Sequence, residues 1–156
     1  MKPHSAHIEV AVADLIGYRN HVIVPNVYWG LGLRHECDLL VLDSKKRFTE
    51  VEIKVSRADL KKDLDKWHGH KSALISRLVY AVPVDLIELA REILPASVGL
   101  IEVRYSEHRK KFVAAWVRVN KHDKAKPPVP ATTIQKFMEL GCMRIWTLKQ
   151  KLNRIK

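Results

Sequence analysis

Only two cysteines, Cys37 and Cys142, occur in 156 residues. That is too few for a disulfide framework, and neither stands in a C-x-x-C or Cys/His spacing that would hold zinc. Met1 to His7 lacks the apolar core of a signal peptide, and no run approaches the roughly 18 apolar residues of a membrane span. The sequence therefore reads as a cytoplasmic protein in a reducing compartment, with no membrane partner. Six glycines form no phosphate loop, nucleophile elbow or dinucleotide fingerprint, which leaves kinase, esterase-type and dehydrogenase chemistry without support. Gly30 and Gly32, flanking Leu31, read as turn residues.

What is present is a globular composition, 47% apolar and 29% charged, at a length that buries one core. Acids are the scarcer charge. A net charge of +11 calls for a polyanionic partner, because basic side chains bind phosphate by displacing condensed counterions. Residues 121–156 carry nine Lys/Arg against two acids, whereas the first 120 carry 19 against 15. The basic excess is concentrated in the tail.

Ile8, Val12, Leu15 and Ile16 fall at helical spacing between Ser5 and Tyr18, with Gly17 as a stop. A strand from His21 to Val27 follows, then strands His35 to Asp43 and Arg47 to Val55 around a hairpin turn, Ser44-Lys45-Lys46. Ser56 with Asp59 predicts a helix start near Arg57, carrying Leu60, Leu64 and Trp67 on one face. Leu78 to Pro83 reads as a buried strand, and Asp85 caps a helix with Leu86, Leu89, Ala90 and Ile93 on its apolar face. Val98 to Arg104 and Lys111 to Val119 complete the strands. The order fits an α/β fold with a mixed central sheet flanked by helices.

The predicted organisation is a domain over 1–119, a mobile or extended Lys/Pro-rich linker over 120–131 and a basic helix over 132–156. Ile134, Phe137, Met138, Ile145 and Leu148 lie roughly on one face of that helix, and Gly141 weakens its middle. Lys71, Lys124, Lys126, Arg144 and Lys149 are the candidate nucleic-acid contacts.

The most informative residues are Arg47 to Ser56. As a strand they put Val51, Ile53 and Val55 on one face and Glu50, Glu52 and Lys54 on the other. Glu52 and Lys54 then have Cα atoms about 7 Å apart on one side. Asp38, on the preceding strand, can be brought beside Glu52 by the hairpin. Two converging carboxylates make a hard oxygen site suited to Mg²⁺ or Mn²⁺, with an ammonium at hand for a phosphate. Leu39 to Leu42 around Asp38 indicate strands buried on both faces, where an acid requires a reason. Glu36 and Glu50 are candidates for a second metal. Ser56 reads as a helix cap.

His35-Glu36-Cys37-Asp38 with Leu39 to Leu42, followed by Glu50-Val51-Glu52-Ile53-Lys54-Val55-Ser56, resembles the core of the PD-(D/E)xK nucleases over roughly residues 8 to 104. Glu52 to Asp59, then Tyr80 to Pro83 and Val98 to Ile101, is more narrowly similar to the MmcB-like proteins associated with DNA repair. The resemblance implies a restriction-endonuclease-like αβββαβ core with two extra strands and the C-terminal helix. It also implies Mg²⁺ (or Mn²⁺) dependence, with Asp38, Glu52 and Lys54 as the catalytic set. Cys37 stands where the motif has proline, which carries no metal-binding group. Glu9 occupies the place of the first-helix glutamate that approaches the metal in archaeal Holliday-junction resolvases, and so joins Asp38 and Glu52 as a candidate metal ligand. The implied activity is hydrolysis of DNA phosphodiesters in repair, recombination or mobile-element processing. A binding module on the same fold is the alternative. RNA as substrate and a homodimer both stay open.

Overall fold

A computed structural model describes residues 1–28, 30–33, 35–64 and 72–154. The elements run α1 (Ser5–Ile16), β1 (Val22–Val27), β2 (Cys37–Leu42), β3 (Phe48–Ile53), α2 (Arg57–Leu64), β4 (Ile75–Pro83), α3 (Ile87–Ile93), β5 (Gly99–Ser106), β6 (Lys111–Arg118) and α4 (Ala131–Arg154). The strands form one six-stranded sheet in the order β1-β2-β3-β4-β5-β6. β1, β2 and β3 are joined antiparallel, β3, β4 and β5 run parallel, and β6 returns antiparallel to β5. The mixed α/β sheet and the β2–β3 hairpin match the expected pattern.

Strand alternation sorts the core into two layers. Val51, Ile53, Val79, Ala81, Ile101 and Val103 turn toward α1, where they meet Ile8, Ala11 and Val12. On the opposite face Leu40, Leu42 and Phe48 pack with Phe137 of α4, while Tyr80, Val82 and Leu100 pack with Leu60 of α2 and Ala90 of α3. All six residues of β3 are buried, Glu50 and Glu52 included. A strand covered on both sides can hold carboxylates only if other groups answer their charge.

Local signals set the helix ends. Gly17 takes φ 91° and closes α1 through its N–H to Ala13 O, a conformation a side chain would strain. Ser56 Oγ accepts the Asp59 N–H at 3.1 Å while Asp59 Oδ2 accepts the Val55 N–H at 3.4 Å, the reciprocal cap expected for α2. Asp85 does not cap α3. It lies in a 3₁₀ turn, Val84–Leu86, that precedes the helix, and no side-chain cap bond is made.

A further expectation is corrected. The segment after β6 is docked rather than mobile: Asp123 N–H bonds Ser76 O and Val129 N–H bonds Lys46 O, both at 2.7 Å, and Val129 is buried. In α4 the apolar row is not uniformly buried. Phe137 is fully enclosed and Ile134 partly so, but Met138, Ile145 and Leu148 are exposed. A 24-residue helix is about 36 Å long, and its C-terminal half has no matching apolar layer beneath it. Gly141 serves close approach to β1, since a Cβ there would lie 3.1 Å from Val24 Cγ2.

Candidate active site

The last ladder partners of β2 and β3 are Leu39 and Val51. Beyond them the Asp38 carboxylate replaces a strand carbonyl and accepts the Ile53 N–H at 2.7 Å. This bond fixes Asp38 against the backbone between Glu52 and Lys54. Lys54 Nζ donates to Glu52 Oε2 at 2.7 Å and is 3.0 Å from Asp63 Oδ1 on α2. Tyr80 OH, from β4, donates to Asp63 Oδ2 at 2.5 Å. Carboxylates from β3 and α2 thus meet one ammonium, with β4 bonded to the second of them, and Glu52, Lys54 and Asp63 are each under a tenth exposed.

The charges are strongly perturbed. Burial lifts the Glu52 carboxyl to about 7; Lys54 pulls it back, and Asp38 and Glu50 push it up further. Burial alone would lower the Lys54 ammonium, but Glu52 and then Asp63 more than reverse this and hold it protonated. Asp38 is raised by burial against the opposing Ile53 N–H and Lys54. Glu9 is raised by burial and then by Asp38. Of the two Glu52 oxygens, Oε1 is buried with no hydrogen-bond partner among the described residues. A buried carboxylate oxygen left in this state beside a second carboxylate fits an all-oxygen divalent cation site.

The structure brings Asp38, Glu52 and Lys54 together, with Glu9 at the edge, where it senses the Asp38 charge. Glu36 is exposed, and Glu50 is turned to His35 instead. The basic candidates diverge. Lys126 Nζ is bonded to Ser72 O and Ile75 O, so its charge pins the docked segment rather than awaiting phosphate. Arg144 donates to Asn26 O at the β1 edge. Lys124 is exposed, and Lys149 is exposed over the Trp146 ring at 5.3 Å. Lys71 and Trp67 lie outside the described residues. Asp63 and Tyr80 are site residues not legible in the sequence; the one available signal was a second acid, four residues after Asp59, in the helix that follows Lys54.

A mixed sheet whose buried end gathers three acids around one lysine defines a class, an α/β domain with a candidate oxyanion and cation site at the end of its central strand. Residues 2–151 match the family described as DNA repair protein MmcB-like, and the chain belongs to the MmcB-like family. That membership points to a DNA-repair-related role. No functionally curated protein matches the chain. Among solved structures it is similar to the SPO1766 protein of unknown function from Silicibacter pomeroyi, at 23% identity and TM-score 0.67, over 98% of this chain and 92% of that one. The likeness supports the fold alone. No helix among the described residues is long and apolar enough to cross a membrane.

Proposed function

We propose that this protein is a metal-dependent nuclease of the PD-(D/E)xK type that hydrolyses DNA phosphodiester bonds. The observation that carries the reading is the buried triad at the end of β3. Asp38 is fixed on Ile53 N–H, Glu52 keeps a carboxylate oxygen unpartnered, and Lys54 is held 2.7 Å from Glu52.

Asp38 and Glu52 would hold Mg²⁺ or Mn²⁺, with Glu9 as a further carboxylate. A bound ion of this kind supplies charge neutralisation at the phosphate and a more acidic water. The chain's own groups do the rest. Lys54, kept protonated, faces the charge that grows on the non-bridging oxygens and orients the attacking water. Asp63 and Tyr80 fix the direction of that ammonium. Water adds to phosphorus and the 3′-oxygen leaves as a hydroxyl, giving a 5′-phosphate. Exposed Lys124 and Lys149 supply salt-dependent backbone affinity.

A second reading, a DNA-binding module without catalysis, draws on one observation: Lys54 is already clamped by two carboxylates, Glu52 and Asp63. Plasmid nicking separates the two. With Mg²⁺ the wild type should nick, EDTA should stop it, and Glu52→Gln and Lys54→Ala should abolish it. Retained DNA binding with no metal-dependent cleavage by the wild type would favour the binding module.

A further inference from the structure

A different trio of side chains meets on the far flank of Glu50 and has no part in the proposed hydrolysis. His35 Nε2 contacts Glu50 Oε1 and lies 3.9 Å from Cys37 Sγ. One ligand atom from each of His35, Cys37 and Glu50 lies within 4.8 Å of the other two. These residues come from the start of β2 and the middle of β3, so hairpin pairing holds them in place. Glu50 and Cys37 are fully buried, whereas the His35 side chain keeps 21% exposure and gives the cluster a route to solvent.

The donor set is imidazole nitrogen, thiolate sulfur and carboxylate oxygen. Mg²⁺ favours all-oxygen shells, whereas Zn²⁺ takes all three donor types in a tetrahedron. Zn–N and Zn–S bonds of about 2.0 and 2.3 Å give a tetrahedral N···S edge of about 3.5 Å. The observed 3.9 Å is a few tenths of an ångström wider, and the direct His35–Glu50 contact has to open to a tetrahedral N···O edge of about 3.3 Å to admit the ion.

We propose that His35, Cys37 and Glu50 bind one Zn²⁺ ion. His35 coordinates through Nε2 as the neutral ring, with its proton on Nδ1. Cys37 gives its S–H proton to solvent as the S–Zn bond forms, and Glu50 binds as the carboxylate. The fourth position, toward the exposed side of His35, takes water. The ion ties the chain entering β2 to β3 and so fixes Asp38, the next residue after Cys37. This site adjoins the proposed nuclease centre but shares no ligand with it, so its occupancy does not require cleavage.

The test uses the full chain with Cys142→Ser, which leaves Cys37 as the only thiol. Chelator-stripped protein is titrated with Co²⁺, the spectroscopic stand-in, and then with Zn²⁺. One equivalent of Co²⁺ should give a sulfur-to-cobalt charge-transfer band with tetrahedral ligand-field absorption, and Zn²⁺ should displace it. Cys37→Ser should lose the band, and His35→Gln, which retains a hydrogen-bonding group for Glu50, should weaken binding at least tenfold while circular dichroism shows an unchanged fold. Glu52→Gln should keep the band even though it removes cleavage, so failure at one site is distinguishable from failure at the other. Absence of a stoichiometric thiolate band, or Zn²⁺ affinity indifferent to His35→Gln, overturns the proposal.

Discussion

Glu52→Gln should gain stability relative to the metal-free wild type as pH rises from 4 to 8. Burial raises the Glu52 carboxyl from 4.5 to about 7. Between those values the folded chain keeps a proton that the unfolded chain has released. Wild-type stability therefore carries no charge of this origin below about pH 4.5, declines as pH rises, and levels off above about 7. The drop is about 3 kcal/mol. Glutamine does not titrate and escapes the decline, while Lys54 retains Asp63 as partner. The readout is how the gap between the two proteins changes with pH, which cancels the constant effect of exchanging the side chains and the titration of groups that do not interact with Glu52. Urea unfolding in EDTA at pH 4, 6 and 8 measures it. Adding Mn²⁺ at about 100 times its Kd should return about 2.7 kcal/mol to wild type at pH 8 and little to the variant. Parallel pH profiles for the two proteins would refute the claim that Glu52 is a burdened buried acid.

Other outcomes follow from the same geometry. Lys54→Ala takes the ammonium away from buried Glu52, so it should cost about 3–5 kcal/mol of stability by urea unfolding and about a hundredfold or more of cleavage rate. Tyr80→Phe removes one hydrogen bond to Asp63 and should cost about 1 kcal/mol in the same unfolding assay, with a smaller loss of rate than Asp63→Asn. Divalent-ion affinity, followed by calorimetry, should rise with pH through about 7 and then level off, because the ion competes with the proton on Glu52. Lys126→Ala should lower the unfolding midpoint without altering DNA affinity, whereas Lys124→Ala and Lys149→Ala should each reduce the salt slope of DNA binding by about one.

The central strand was legible because its period of two separates Val51 and Ile53 from Glu50, Glu52 and Lys54 with no tertiary information. The cap of α2 was legible for a similar reason, since Ser56 and Asp59 interact within one turn. Asp63 was not, because its role depends on how α2 settles over β4 and meets Tyr80, 17 residues away. His35 and Glu50 are 15 residues apart and meet only after the hairpin pairs. The docking of residues 120–130 was hidden by their composition: proline and lysine read as solvated linker, yet Lys126 caps backbone carbonyls and Val129 fills a gap in the core. Helical spacing along α4 correctly picked out Phe137 but carried no sign of where the covering sheet ends.

Crystals soaked in Mn²⁺ and measured for anomalous scattering address the central claim most directly. A peak should appear in contact with both the Asp38 and Glu52 carboxylates, with Lys54 alongside, and should be absent in Glu52→Gln. A map with no peak there, or one in which the two carboxylates turn away from each other, would contradict it.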